Sequence, residues 1–174
     1  MSNMIAYFNY LEGGICLKIN KLSHRLWLRR LFSVVSKLGN GWVYVLPAAA
    51  IFALQGPASL PALLQAGLTA LAGVFTYKYL KQRLVRERPY INHGDILCGA
   101  APLDRYSFPS GHTLHAACFT TMYAHIEPML LPILLPFALL VAASRIVLGL
   151  HYPSDVIVGA SIGLALASAS IALF

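Results

Sequence analysis

Residues 129–148 read MLLPILLPFALLVAASRIVL, and the chain runs on through Gly149 and Leu150 into His151, Tyr152, Pro153, Ser154 and Asp155. A helix rises about 1.5 Å per residue, so a run of this length crosses the roughly 30 Å hydrocarbon core of a bilayer. Its one charge, Arg145, lies at its far end beside His151 and Asp155. The stretch therefore predicts a spanning helix that delivers a polar site to a membrane surface. Four more apolar segments surround it, at residues 42–55, 60–80, 113–126 and 156–174, the third lengthened by a helix start at Ser110. Gly56-Pro57 and Glu127-Pro128 are tight connections that fold successive helices antiparallel. If each segment crosses once, the ends at Leu80, Ser110, Leu148 and Val156 share one face. The expected fold is an all-α, polytopic membrane helix bundle with about five spanning helices. Small residues in the last segment, among them Gly159, Gly163 and Ala167, suit close helix packing.

Composition agrees. Of 174 residues, 58% are hydrophobic and 11% charged, and the mean hydropathy is +0.67, too apolar for a soluble domain of this size. The formal charge of +7 favours an anionic lipid surface or a phosphorylated substrate as partner. Nucleic acid is excluded as a reading, because the cations flank apolar spans and no aromatic stacking series or nucleic-acid motif accompanies them. Cys16, Cys98 and Cys118 are an odd number at no metal-ligand spacing and imply no disulfide framework. No small-residue cleavage pattern follows the apolar stretch at residues 4–17, which argues against a cleaved signal peptide.

Residues 1–40 divide from residues 41–174. They mix Tyr7, Phe8, Tyr10, Trp27 and Phe32 with Lys18, Lys21, Arg25, Arg29, Arg30 and Lys37, which fits an N-terminal amphipathic, interfacial helix better than a clean span. Leu22, Leu26, Leu31, Val34, Val35 and Leu38 recur near helical spacing, and Gly39-Asn40-Gly41 ends the pattern.

Three clusters carry chemistry. Lys81 and Arg88 are seven residues apart, two helical turns, so a helix continuing out of the membrane to Pro89 places both on one face. They read as phosphate ligands or, with Lys78, Arg83 and Arg86, as a solvated flank that sets orientation; Arg83 and Arg86 keep the second reading. Pro109, Ser110, Gly111 and His112 fit a helix start, whose free N–H groups and dipole bind an anion. His151 and Asp155 are four apart, so the carboxylate can hold the proton of one imidazole nitrogen and leave the other to attack. The same pair also suits a cap on the final helix, with Pro153 in its first turn. Arg145 is out of helical phase with His151, and Gly149 and Pro153 supply the breaks that bring them together. His115 completes no metal site, since no further carboxylate or thiolate joins it. His24, His93 and His125 read as interfacial or solvated, and Tyr90, Asp104 and Arg105 as headgroup contacts or loop filler.

Lys81 through Arg88-Pro89, Pro109-Ser110-Gly111-His112, and Ser144-Arg145 through His151 to Asp155 together resemble the three signature blocks of the type 2 phosphatidic acid phosphatase family of integral-membrane lipid phosphatases. The resemblance covers residues 81–155, in order and without a departure; the reduced N-terminus departs from the family's usual first span. It implies that His151 attacks phosphorus, Asp155 supports it, and His112 protonates the leaving oxygen and then activates water. Lys81, Arg88 and Arg145, with Ser110 and the Gly111 amide, are implied to hold the phosphoryl oxygens. No cofactor and no metal, magnesium included, is then expected. The implied reaction is hydrolysis of a lipid phosphate or diphosphate, of isoprenyl or diacylglycerol type, with isoprenyl ranked first. A lipid phosphotransferase, a non-catalytic lipid transporter and a haloperoxidase sharing the anion pocket are the rivals; the last is soluble where this chain is apolar. Lys18 to Lys37 place six cations on the active-site side and point to a cytoplasmic-facing site in a plasma or inner membrane.

Overall fold

The structure is a computed structural model that describes the backbone of residues 2–174 and the side chains from Tyr10 onward. Met1 and the side chains of Tyr7 and Phe8, part of the N-terminal aromatic set, lie outside the described residues. Among the described residues the fold is all-helical: α1 (Ser2–Asn20), α2 (Leu26–Leu38), α3 (Val45–Gln55), α4 (Leu60–Arg83), the short α5 (Pro89–Asn92), α6 (Gly111–Ile126), α7 (Leu131–Val147) and α8 (Pro153–Leu173).

Polar contacts at the far end of the bundle fix the helix directions. Gln55 Nε2 at the end of α3 donates to the Ile126 carbonyl at the end of α6, at 3.2 Å. Gln65 Nε2, early in α4, donates to the Ser170 carbonyl late in α8, at 2.9 Å, and Thr69 Oγ1 lies 2.8 Å from Ser170 Oγ. So α3, α6 and α8 descend from the end that carries the signature blocks, and α4 and α7 return to it. Among the described residues, three stretches are long and apolar enough to cross a membrane: Trp42–Arg83, Pro128–Val147 and Pro153–Leu173. The first contains both α3 and α4, which reverse at Gly56 (φ 66°). Leu46, Leu64, Leu68, Phe75, Ile133, Leu139 and Ile157 are exposed on the outside of these helices, an apolar surface that suits lipid. The protein is an integral membrane helix bundle.

The packing of α8 on α6 places the site. Gly159 and Gly163 are buried one turn apart. A Cβ at Gly159 would sit 2.5 Å from the Ser110 carbonyl, and one at Gly163 would run into the carbonyl of Leu114, so only glycine admits this approach. The contact sets the start of α6 beside the start of α8, where Ser110 N–H donates to the Asp155 carbonyl at 3.0 Å.

Two expectations need correcting. The helix does not continue from Lys81 to Arg88: α4 ends at Arg83, residues 84–88 are non-helical, and Pro89 opens α5 rather than closing α4. The residue before a proline is pushed out of the α region, and Arg88 accordingly has φ −78°, ψ 153°; proline itself is well suited to the first helical position. The N-terminal segment also forms two helices, not one. Of these, α2 matches the amphipathic pattern, with Leu26, Leu31, Val34 and Leu38 exposed and Val35 and Ser36 buried.

Candidate active site

The loop between α7 and α8 is built around Gly149. Its φ of +71° is a region that favours glycine, and a Cβ there would meet Ile96 Cγ2 at 2.6 Å and the Leu97 carbonyl at 2.8 Å. This turn lets the N–H groups of Leu150 and His151 both donate to the Arg145 carbonyl, at 3.0 Å each. It brings Arg145 and His151 to one pocket despite their helical phase. His151 is buried, with Nε2 3.3 Å from Arg88 Nη1. Because guanidinium only donates, Nε2 is the accepting nitrogen and the ring proton rests on Nδ1. Nδ1 lies 3.6 Å from Asp155 Oδ2, beyond hydrogen-bond length. Burial, followed by the charges of Arg145, Arg88 and Lys81, holds His151 well below the usual imidazole range, with Asp104 acting the other way.

Asp155 is committed on both oxygens. Oδ1 accepts from Arg86 Nη1 at 2.6 Å, and Oδ2 accepts the Tyr152 N–H at 2.8 Å, the latter a cap on α8. Of the two readings of the His151–Asp155 spacing, these contacts form the cap on α8, and the carboxylate stands 3.6 Å from the His151 ring nitrogen.

Arg88, beside His151, and Lys81 meet at Asp104. Arg88 Nη1 donates to the Leu150 carbonyl at 2.8 Å, and Lys81 Nζ to the Tyr106 carbonyl at 2.7 Å. Both cations also bind Asp104 Oδ1, each at 2.7 Å. Burial alone would raise the Asp104 carboxyl, but the Lys81 hydrogen bond and the charges of Lys81 and Arg88 outweigh it and keep the group below the usual carboxylate range. Arg145 Nη1 donates to Ser36 Oγ of α2, while its buried Nε has no hydrogen-bond partner among the described residues. His112, in the first turn of α6, has Nε2 2.5 Å from Asn40 Oδ1.

A cavity of about 360 Å³ is lined by Lys81, Arg88, Asp104, Gly111, His112, Arg145 and His151, among others. Ser110 is absent from that lining. It is fully buried as the N-cap of α6, its Oγ 3.0 Å from Thr113 Oγ1. Gly111 does line the cavity, with the Tyr77 ring 3.3 Å from where a Cβ would stand. The Thr113 N–H is capped by Ser110 Oγ, and the N–H groups of Gly111 and His112, at the helix start, are suited to an anion. The arrangement offers three cations, a helix start, one buried imidazole with an accepting nitrogen and a second imidazole across the cavity: the requirements of phosphoryl transfer.

Reading the sequence missed four residues. Arg86, taken as a solvated flank, is buried and paired with Asp155 and Glu12. Asn40, taken as a helix breaker, touches His112. Glu12 and Asn20 reach this end of the bundle from α1. Arg83 conforms to the flank reading, stacked at 5.4 Å on the Tyr79 ring. Asp104, left open between headgroup contact and filler, bridges two cavity cations.

The decaprenylphosphoryl-5-phosphoribose phosphatase of Mycolicibacterium smegmatis is 35% identical over 132 residues, 75% of this chain and 68% of that protein. Among solved structures the chain is similar to Aquifex aeolicus LpxE, with TM-score 0.77 and 29% identity over 91% of this chain and 93% of that one. It also shares its fold with the transmembrane PAP2 type phosphatidylglycerolphosphate phosphatase of Bacillus subtilis, with TM-score 0.69 and 24% identity over 98% and 94% of the two chains. With the PAP2 superfamily model matching residues 62–174, which hold every residue of the three signature blocks, the chain belongs to the PAP2 superfamily.

Proposed function

We propose that this membrane lipid phosphatase hydrolyses a lipid phosphate or diphosphate, without a metal ion, through a phosphohistidine at His151. The observation that carries the reading is the convergence of Lys81, Arg88, Arg145, His112 and His151 on one cavity at the surface end of the bundle. His151 Nε2 attacks phosphorus while His112 gives a proton to the departing lipid oxygen, so the P–O bond breaks as the N–P bond forms. Water then attacks the phosphohistidine, His112 takes its proton, and phosphate leaves with His151 restored. Lys81, Arg88, Arg145 and the Gly111 amide hold the equatorial oxygens, where charge is concentrated in the transition state. Ser110 contributes by capping the helix that carries His112. Asp155 stabilises the charge that forms on the His151 ring.

Isoprenyl-linked phosphates stand first among substrates, in keeping with the decaprenylphosphoryl compound in the name of the Mycolicibacterium relative; diacylglycerol-type phosphates stand second. Residues 1–40 act as a membrane-surface segment on residues 41–174. The cations of α2 and its flanks favour the cytoplasmic side for the active-site end. The test is phosphate release by purified protein in detergent with EDTA, on isoprenyl diphosphate and phosphatidic acid side by side. Release that persists in EDTA and disappears in His151→Ala is expected. Release that needs added magnesium, or survives the substitution, contradicts the reading.

A further inference from the structure

A second charged cluster lies behind the cavity. Glu12, on α1, is 74 residues from Arg86 in sequence, yet its Oε2 accepts from Arg86 Nη2 at 2.8 Å and from Ser154 Oγ at 2.8 Å. Its other oxygen accepts the Ser154 N–H at 3.0 Å, in the first turn of α8, where a helix end favours an anion. Arg86 Nη1 continues to Ser154 Oγ at 2.7 Å and to Asp155 Oδ1 at 2.6 Å. Its guanidinium also stacks 4.0 Å from the centroid of the Tyr152 ring. Asp155 Oδ2 then faces His151 Nδ1. Glu12, Arg86, Asp155 and His151 so form a line of alternating charge that ends on the imidazole.

The same face of α1 touches the His151 loop at the next two turns. Cys16 Sγ lies 4.0 Å from the His151 carbonyl. Asn20 Nδ2 donates to the Leu97 and Val147 carbonyls at 2.9 Å, and Asn20 Oδ1 accepts the Leu97 N–H at 2.8 Å. Gly13, buried between Glu12 and this set, leaves the room that His93 fills. The α1 members of this network, Glu12, Gly13, Cys16 and Asn20, lie outside residues 62–174, the part that matches the superfamily.

We propose that Glu12 and Arg86 are positioning residues: Glu12 anchors Arg86, and Arg86, by binding Oδ1, fixes the Asp155 carboxylate with Oδ2 turned toward His151. The inference rests on His151 being the reacting group, as proposed above. An arginine shared by two carboxylates and stacked on a ring is held in one rotamer. Glu12 also limits how much of the Arg86 charge Asp155 feels. With Glu12 neutral, Arg86 acts on Asp155 alone and weakens its support of a positive ring. With Arg86 neutral, the full carboxylate charge falls on the ring.

The two changes therefore move His151 in opposite directions. The groups that face its ring from other elements are Arg88, Arg145, Lys81, His112 and Asp104 around the cavity and Asp155 from α8, with Cys16 at its carbonyl. None of these changes in either variant. The test uses the full-length protein in detergent, labelled with nitrogen-15 at histidine, as wild type, Glu12→Gln, Glu12→Asp and Arg86→Gln. Two quantities are read: the His151 titration by NMR without substrate, and kcat, KM and the acid limb of kcat/KM for isoprenyl diphosphate or phosphatidic acid, whichever is turned over.

The expected result is that His151 titrates roughly half a pH unit lower in Glu12→Gln and roughly half a unit higher in Arg86→Gln, with Glu12→Asp returning toward wild type. In Glu12→Gln, kcat falls about tenfold or more with KM nearly unchanged. Shifts in the same direction, or no shift alongside lost activity, would reduce α1 to a scaffold and overturn the proposal. If Arg86→Gln does not fold, the Glu12→Gln and Glu12→Asp pair decides by the same sign. If the wild type turns over neither lipid, that result counts against the phosphatase reading, and the NMR titration still decides this one.

Discussion

One oxygen of Asp104 satisfies both Lys81 and Arg88, so a phosphate entering the cavity meets a clamp already holding an anion. The carboxylate stays ionised to low pH because the two cations favour its charged form. Phosphoryl oxygens must therefore displace or share with it. Asp104→Asn is expected to tighten inhibition by inorganic phosphate about fivefold or more, since a like charge is removed while both cations remain. Weaker inhibition would instead make Asp104 necessary for holding Lys81 and Arg88 in place. At this scale, the sequence made legible the groups whose partners are near in the chain or fixed by spacing, such as His151 with Asp155 and His112 at its helix start. Glu12, Asn40 and Arg86 were not legible, because their partners lie 74, 72 and 69 residues away. A lone Glu in a basic segment carries no spacing that announces such a pairing, and Arg86 among other cations looks like a flank until Asp155 is seen against it.

Among the elements, α6 and α8 decide whether the site exists, because their contact sets the start of one helix beside the start of the other. Gly163→Leu forces a side chain into the carbonyl of Leu114, and overpacking of this kind costs about 1–3 kcal/mol. The expected outcome is a lower melting temperature in detergent together with loss of phosphate release. Ala165→Leu, two residues on and exposed to the outside, is expected to leave the melting temperature within error. Equal effects from both would mean that the small residues of α8 do not set the α6 approach. Each of the five apolar segments contains one helix of the bundle, since an apolar run bounded by Gly-Pro or Glu-Pro allows little else in a membrane. The path from Lys81 to Arg88 was misjudged, because two turns of helical spacing describe those side chains only if the backbone stays helical. The proline after Arg88 prevents that, and the residues instead meet by the chain folding back, with Ser107 N–H donating to the Arg86 carbonyl at 2.8 Å.

Across the whole molecule, the signature blocks, α1 and the cationic α2 gather at one end of an apolar bundle. Cys98 is the one exposed cysteine; Cys16 and Cys118 are buried. A membrane-impermeant thiol reagent therefore reports the sidedness of that end through a single residue. With the site facing the cytoplasm, Cys98 is expected to label only after the cells are opened; labelling in intact cells would place the site outside. The side of the membrane was legible only as a charge bias, because no local geometry distinguishes the two faces. The chemistry at His151 is tested most directly by trapping the covalent intermediate. Wild-type, His112→Ala and His151→Ala proteins would be mixed with lipid substrate radiolabelled in the phosphate, then quenched in alkali, which preserves phosphohistidine. Label bound to the wild type, forming more slowly in His112→Ala, which lacks the acid for the leaving oxygen, and absent in His151→Ala, is the predicted result. Label that persists in His151→Ala, or phosphate release with no trapped label in either of the other proteins, would contradict His151 as the nucleophile.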